Sequence, residues 1–295
     1  MSINLTTNIG KLDTSSIQLW NDVLAPKFIR FKHIAVDGLA SHSEAVFPDL
    51  PIKPGDRVLD VGCGFGDTSI KLAELVGPDG EVVGVDCCDA FLIHAENEAA
   101  ACGMSNVDFV CCDAEIELPI CEFDFVFARF GTMYFSDPVM GLRNMRRSLK
   151  PGGKMVQIVW REHKDNPWLS MAQDIVLRYL PQPGKNVQTC GPGPFSMSNQ
   201  EAVTRMMRSA GCTNINFERV DAEVVIGNSI DDAIAFQLAL GPAGEIFRKA
   251  GEEAEQKRDL IEAALATAIS KQKIGTFGIM MDSSSWVITA TNPHS

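Results

Sequence analysis

Between residues 50 and 160 the chain alternates short apolar runs with segments whose apolar residues recur every three or four positions. The short runs are rich in β-branched and aromatic residues, and their length is typical of strands rather than helices. They are residues 57–62, 81–86, 107–113, 123–129 and 154–160. This alternation predicts an α/β core, residues 51–160, in which helices wrap a parallel sheet.

Two regions beside this core have a different texture. Residues 1–50 contain a helical pattern that Pro26 is expected to break, and we interpret them as an N-terminal helical cap. Residues 161–198 hold the sequences NPW, PQPG and GPGPF, so they are too rich in proline and glycine for one continuous helix. We interpret them as a lid or insertion.

The C-terminal region, residues 199–295, continues the core. A helix is expected up to Gly211, and apolar β-rich runs at 215–227 and 283–291 predict two more strands. Between these strands, about residues 230–274 show the three and four spacing of a helical insertion.

Composition and charge narrow the classes of function. The 295 residues carry 26 basic and 38 acidic side chains, a net charge of −12, which argues against nucleic acid as a bulk partner. No window of about 18 uninterrupted apolar residues is present, so no membrane span is predicted. The first residues lack a signal-peptide pattern, which makes a cytoplasmic location the default. Nine cysteines are an odd number for a disulfide framework, and no paired CxxC motifs indicate a metal site.

A glycine-rich turn follows the first predicted strand in the sequence VLDVGCGFG. Gly62, Gly64 and Gly66 permit a tight turn and a close approach of ligand to backbone, and the next helix presents free N–H groups. Asp60 precedes this turn, and Asp86 closes the second strand, where an acid that binds ribose hydroxyls is expected.

Other nucleotide-binding motifs fit the turn less well. Dinucleotide-binding folds use GxGxxG, whereas the spacing here is GxGxG. The carboxylate of Asp60 would repel a pyrophosphate and suits a cationic ligand, which favours S-adenosylmethionine (SAM) over NAD. No GK[ST] follows the glycines, which excludes a P-loop.

At this point the sequence resembles a known family. DVGCGFG, GVD, CCDAEIELP, FDFVFARFG and LKPGGKM are similar, in order and interval, to motifs of class I SAM-dependent methyltransferases, in the branch of the ubiquinone/menaquinone biosynthesis and small-molecule enzymes. The resemblance covers about residues 52–160. It implies a Rossmann-like, seven-stranded, mostly parallel sheet with helices on both faces, here with cap and lid insertions. Residues 283–291 would enter the sheet antiparallel.

The resemblance also implies positions for the cofactor SAM, whose product is S-adenosylhomocysteine. The three turn glycines would line its methionine portion, and Asp60 would act on its ammonium directly or through water. Asp86, followed by Cys87, would take the ribose hydroxyls. Asp113 would accept the adenine amino group while the Ala114 N–H donates to a ring nitrogen. Arg129 would bring its backbone carbonyl toward the ammonium.

Methyl transfer requires alignment and exclusion of water more than a fixed catalytic residue. A general base would help with a hydroxyl or acidic carbon acceptor. His42 and His163 fall on segments expected over the cleft, and Tyr134 lies near the carboxyl end of the fourth strand, so these three are the catalytic candidates. The thiols of Cys87-Cys88 and Cys111-Cys112 either cluster as a site for a soft, thiophilic ligand or are small side chains at strand ends.

The sequence favours a small-molecule methyl acceptor, with no nucleic acid and no membrane as partner and a homodimer as a possible assembly. Two alternatives stay open: a methyltransferase acting on protein or RNA, and a non-catalytic SAM-binding protein. No NPPY-type motif follows the fourth strand, where RFGTMYF stands, which argues against methylation of base amino groups. The acceptor and the methylated atom are not predicted.

Overall fold

One mixed sheet forms the centre of the molecule. The computed structural model describes residues 15–120, 122–182 and 191–294. Among them the sheet has eight strands, and the fold class predicted from the sequence is confirmed. The strands are β1 (Arg57–Val61), β2 (Glu81–Asp86), β3 (Val107–Cys111), β4 (Phe123–Arg129), β5 (Leu149–Trp160), β6 (Thr213–Gly227), β7 (Lys273–Gly275) and β8 (Gly278–Thr291).

The strand order is β3-β2-β1-β4-β5-β8-β6, with β7 paired to β8 beside this path. β1 pairs in parallel with β2 and β4, and the parallel pairing extends to β3 and β5. β8 is antiparallel to both β5 and β6, as predicted. The chain order reverses at β1, so the crevice at the carboxyl ends of β1 and β4 is where such sheets bind ligands.

Twelve α-helices are described, and most cover the two faces of the sheet. They are α1 (Ser15–Leu19), α2 (Ala25–Arg30), α3 (Ala40–Glu44), α4 (Asp67–Val76), α5 (Asp89–Ala101), α6 (Pro138–Ser148), α7 (Pro167–Val176), α8 (Gln200–Ser209), α9 (Ile230–Ala239), α10 (Gly241–Ala250), α11 (Glu252–Gln256) and α12 (Arg258–Ile269). Short π-helical turns at Trp20–Leu24 and Ile34–Gly38 join the first three. Single 3-10 turns lie at Phe47–Asp49, Thr132–Tyr134 and His163–Asp165.

Two boundaries differ from those predicted. Pro26 does not break the first helical run, because it lies in the first turn of α2, where a missing N–H costs nothing. The predicted helix over 230–274 ends at Ile269, and the prediction was wrong for its last residues. Lys273 and Ile274 instead pair with Met280 and Ile279 in a hairpin of β7 and β8.

The cap and the helical insertion contact each other above the carboxyl edge of the sheet. Lys27 Nζ donates to the carbonyl of Ala239 at 3.1 Å, and His33 Nε2 lies 3.0 Å from Asp232 Oδ2. Of the predicted lid, residues 183–190 lie outside the described residues. Its earlier part contains α7, whose Trp168 is buried. No helix in the described part of the chain is long and apolar enough to cross a membrane.

Candidate functional site

A cavity of about 240 Å³ opens at the carboxyl ends of β1, β2, β4 and β5. Its lining comes from the glycine turn, from the loops after β2, β3 and β4, and from the cap, α7 and α9. Two halves of different chemistry meet there. The half at β1–β3 is polar and acidic, and the half at β4, β5 and the helical covers is aromatic.

The three glycines of the turn between β1 and α4 have two different roles: two of them line the cavity, and the third packs against a helix. Gly62, Gly64 and Gly66 all have left-handed φ, 70°, 54° and 78°, which side chains rarely tolerate. Gly62 and Gly64 line the cavity, and a Cβ on Gly64 would meet nothing within 4 Å. A Cβ on Gly66 would instead lie 2.7 Å from Ala95 Cβ. Gly66 therefore packs against α5 and does not line the cavity.

Asp60 lies behind the turn, fully buried. Its Oδ2 accepts the hydroxyls of Thr68 and Ser69, each at 2.7 Å. Its buried Oδ1 has no hydrogen-bond partner among the described residues. Burial raises the pKa of Asp60 to about 6, although the two hydroxyl hydrogen bonds and Arg129 work in the opposite direction. Asp60 is outside the cavity lining, so any action on a ligand from here is indirect.

Asp86 ends β2 with its carboxylate in the cavity. Oδ2 accepts the N–H of Gly64 at 2.9 Å, and Oδ1 accepts the N–H of Cys88 at 3.0 Å. Burial raises its pKa to about 6 against these backbone hydrogen bonds. Each carboxylate oxygen has two acceptor sites, so both keep one for a ligand hydroxyl. A pair of neighbouring hydroxyls, such as those of ribose, fits this arrangement.

The next loop follows β3 and continues the acidic half. Asp113, Ala114 and Glu115 line the cavity. Asp113 Oδ1 accepts the N–H of Glu115 at 2.8 Å, which fixes the carboxylate at the start of the loop. Burial raises the pKa of Glu115, whose carboxylate accepts the N–H of Asp137. The Asp113 side chain and the N–H of Ala114 were predicted at the adenine end; Glu115, the next residue of the same motif, was not predicted there.

The cysteine doublets form no metal-binding group. Cys87 and Cys112 line the cavity, whereas Cys88 is buried and Cys111 is exposed. Burial and nearby acids raise the thiol pKa of Cys87, and of Cys112 to about 12, so these thiols stay protonated near neutral pH. Among the described residues no cluster of three or more His, Cys, Asp or Glu side chains could hold a metal ion.

Arg129 ends β4 and lies at the boundary between the two halves. Its Nη2 is 2.7 Å from Asp67 Oδ2, and its Nη1 donates to Ser43 Oγ of the cap at 2.9 Å. The side chain is 10% exposed, while that of Asp67 is 26% exposed. Both residues line the cavity beside Gly62 and Gly64. The sequence prediction concerned only the backbone carbonyl of Arg129, whereas in the structure its guanidinium also lies at this boundary.

The aromatic half is built on a stacked pair at the ends of β4 and β5. The rings of Phe130 and Trp160 lie 3.8 Å apart at 12°. Phe130 has a φ of 57°, unusual for a side chain of this size, and its N–H donates to the carbonyl of Ile158 at 2.8 Å. Further walls come from the cap, from the loop after β4 and from the helical covers. They are Trp20, Phe28, Leu39, Met133, Tyr134, Trp168, Leu169, Phe236 and Leu240.

Of the three catalytic candidates, only Tyr134 lines the cavity. Its ring meets Trp20 of the cap edge to face at 5.0 Å. His163 is near Gln173, with Nε2 and Oε1 2.9 Å apart, and packs against Phe195 outside the lining.

His42 is fully buried and holds the cap on β8. Ser283 Oγ donates to the carbonyl of Ala222 at 2.6 Å, so it accepts the Nε2–H of His42 at 2.7 Å. Nδ1 then accepts the Ser285 hydroxyl at 2.8 Å. Burial lowers the pKa of His42 to about 4, which keeps the ring neutral. Its ring touches the edge of Trp160 at 5.0 Å but does not reach the cavity.

Sequence reasoning missed Phe130, Trp168 and Phe236 of the aromatic half, and it missed the Asp67 carboxylate. Asp67 directly follows the recognised glycines, so its position was a usable signal. Trp168 and Phe236 are 68 residues apart in sequence and reach the cavity only through helix packing, for which no local motif exists.

Comparison with known proteins identifies the family. The sequence model of the ubiE/COQ5 methyltransferase family matches residues 45–229. This chain belongs to that family. It is 32% identical over 184 residues to the ubiquinone/menaquinone biosynthesis C-methyltransferase UbiE of Ectopseudomonas mendocina, which covers 59% of this chain and 72% of the relative. It is 32% identical over 183 residues to a demethylmenaquinone methyltransferase of Staphylococcus aureus, covering 58% and 73%.

Solved structures support the fold. A phosphoethanolamine N-methyltransferase 2 of Haemonchus contortus, solved with S-adenosylhomocysteine, aligns with a TM-score of 0.58 at 18% identity, over 96% of this chain and 61% of that one. Its membership of the ubiE/COQ5 family, and not this structural likeness, makes the chain a SAM-dependent methyltransferase. The residues fit the cofactor, since Asp86 offers acceptors to two hydroxyls beside a turn that leaves open space over Gly64.

Proposed function

We propose that this enzyme methylates a ring carbon of a small, apolar, hydroxylated aromatic acceptor of the quinol type. The observation that carries the proposal is the chemistry of the aromatic half. Its described lining is aromatic and aliphatic, and charge enters only at the boundary, with Arg129 and Asp67. A flat ring buried there gains from apolar contact and ring stacking. The names of the two bacterial relatives, both quinone methyltransferases, support the same acceptor class.

In this proposal the cofactor occupies the acidic half and the acceptor the aromatic half, so the methyl group moves from one half of the cavity to the other. SAM, when bound, supplies an electrophilic methyl group whose bonding electrons return to sulfur as the acceptor atom attacks from the opposite side. Asp86 and the glycine turn hold the cofactor on the acidic side, and Trp160 and Phe130 form the wall of the acceptor side. The ring carbon ortho to a hydroxyl is electron-rich, and after it has formed the bond to the methyl group it restores aromaticity by losing its proton to solvent.

The chain contributes mainly alignment and exclusion of water. Trp20 and Phe28 of the cap, with Trp168 of α7, shield the aromatic half from solvent. Tyr134 is the candidate for a hydrogen bond to the acceptor hydroxyl, since it brings a phenol to this lining. His42 and His163 lie outside the lining, and we assign neither as a base.

A panel of acceptors tests the proposal. Purified enzyme with methyl-labelled SAM is offered a 1,4-naphthoquinol with an open ring carbon, the oxidised quinone, a lysine-containing peptide and an RNA oligonucleotide. We expect label only in the quinol, because the quinone lacks the electron-rich ring carbon. Label in the peptide or the RNA, with none in the quinol, would refute the proposal.

Two tryptophan variants test whether the aromatic half binds the acceptor. Trp168→Ala should lower kcat/KM for the quinol about tenfold or more and leave the Kd of SAM unchanged, because Trp168 lines only the acceptor half. Trp286→Ala is the matched control, since Trp286 packs against Arg161 and Phe217 and does not line the cavity.

A further inference from the structure

The ion pair of Arg129 and Asp67 matches the amino-acid end of SAM in its charges. That end carries a carboxylate and an ammonium on one carbon. The guanidinium and the carboxylate of the pair lie 2.7 Å apart at the glycine turn, and both line the cavity. We infer that the Arg129 guanidinium binds the carboxylate of SAM, while Asp67 faces the ammonium.

The order of strands along the sheet edge fixes the direction of the cofactor. Asp113 follows β3, Asp86 ends β2, the glycine turn follows β1 and Arg129 ends β4, and these four strands are consecutive in the sheet. Neighbouring strands are about 4.8 Å apart, so Asp86 and Arg129 are roughly 10 Å apart along the edge. A ribose at Asp86 therefore extends the methionine chain across the glycine turn toward Arg129.

The guanidinium has capacity left for a ligand. Arginine carries five N–H donors, and the hydrogen bonds to Ser43 and Asp67 use the Nη1 and Nη2 groups in part. The side chain is nine-tenths buried, so a carboxylate there forms charge-assisted hydrogen bonds with little competition from water. A guanidinium suits a carboxylate better than any neutral donor, because its planar fork matches the two oxygens.

The acids near Arg129 suit the positively charged groups of SAM. Asp60 interacts electrostatically with both Asp67 and Arg129, and Arg129 is the only basic side chain in the described lining. With SAM bound, its carboxylate would balance Arg129, and its ammonium and sulfonium would balance the acids. Ser43 would then connect cofactor binding to the cap, since its hydroxyl holds the same guanidinium.

A thermodynamic cycle tests this inference without any methyl acceptor. It rests on SAM as the cofactor and not on the proposed quinol. The Kd of SAM and of decarboxylated SAM is measured by calorimetry for the wild type, Arg129→Met and Arg129→Lys. For the wild type we expect loss of the ligand carboxylate to weaken binding roughly 10- to 100-fold, the range of a charge-assisted hydrogen bond. In Arg129→Met the same loss should cost less than about threefold, with Arg129→Lys in between.

Equal penalties for decarboxylation in the wild type and Arg129→Met would overturn the inference, because Arg129 would then act only through the fold. Ser43→Ala is the matched control, since it removes the contact with the cap and keeps the guanidinium. It should retain the full carboxylate penalty. Binding of decarboxylated SAM reports whether each variant keeps a folded site, and if Arg129→Met does not fold, Arg129→Lys decides, with an undiminished penalty contradicting the inference.

Discussion

Replacing Asp86 by alanine should weaken SAM binding by roughly 30- to 150-fold. The carboxylate lines the cavity and has an acceptor site left on each oxygen beyond its hydrogen bonds to Gly64 and Cys88. Two hydrogen bonds from ligand hydroxyls to a charged acceptor are together worth about 2 to 3 kcal/mol after competition with water, which corresponds to that range of Kd.

The same change also acts on the protein without ligand. The N–H groups of Gly64 and Cys88 lose their acceptor, which costs about 1 to 3 kcal/mol of folding stability if water does not replace it. The melting temperature must therefore be measured beside the Kd, and binding compared well below it. Asp89→Ala is the matched control, because Asp89 is an exposed acid three residues away and does not line the cavity. Calorimetry giving Asp86→Ala a Kd within threefold of both the wild type and Asp89→Ala would refute the assignment.

Three further predictions concern pH and motion. SAM binding should weaken as pH falls from 6.5 to 5, because Asp60 and Asp86, each with a pKa of about 6, lose the negative charge that attracts the cationic cofactor; calorimetry giving a flat profile would contradict this. In the unfolded chain His42 takes up a proton near pH 6.5, whereas in the folded protein it does so only near pH 4. The free energy of unfolding therefore decreases as pH falls through this window, by about 3 kcal/mol in total. His42→Gln should therefore show a flatter decline in urea unfolding than the wild type between these pH values, and equal slopes would argue against it. Amide exchange should show added protection at residues 161–182 and 191–198 with SAM plus acceptor compared with SAM alone, and no added protection would favour a static cover.

The core was predictable because it depends on local signals. β2 and β4 were predicted with their observed ends, since buried parallel strands appear as continuous apolar runs bounded by turns. The carboxyl ends of such strands meet at one edge, so the strand pattern grouped Asp86 with Asp113, whereas Arg129 was added only through the family resemblance.

The parts that sequence did not predict depend on tertiary contact. His42 was a candidate base because its segment was expected over the cleft, yet Ser283 and Ser285 of a strand more than 240 residues later enclose it. Gly66 belongs to a recognised pattern, but its lack of a side chain serves packing on α5. The hairpin of β7 was hidden by the helical spacing that precedes it.

The central claim is transfer of the methyl group to a ring carbon of a quinol held in the aromatic half. The most direct test is a reaction of the enzyme with SAM carrying a carbon-13 methyl group and a reduced 2-alkyl-1,4-naphthoquinone, followed by carbon-13 NMR of the product. We predict one new resonance in the region of a methyl group on an aromatic carbon, much weaker in Asp86→Ala when the SAM concentration is close to the Kd of the wild type. A resonance in the region of a methoxy carbon would show transfer to the hydroxyl oxygen, and no labelled product with SAM bound would exclude this acceptor; either result would contradict the claim.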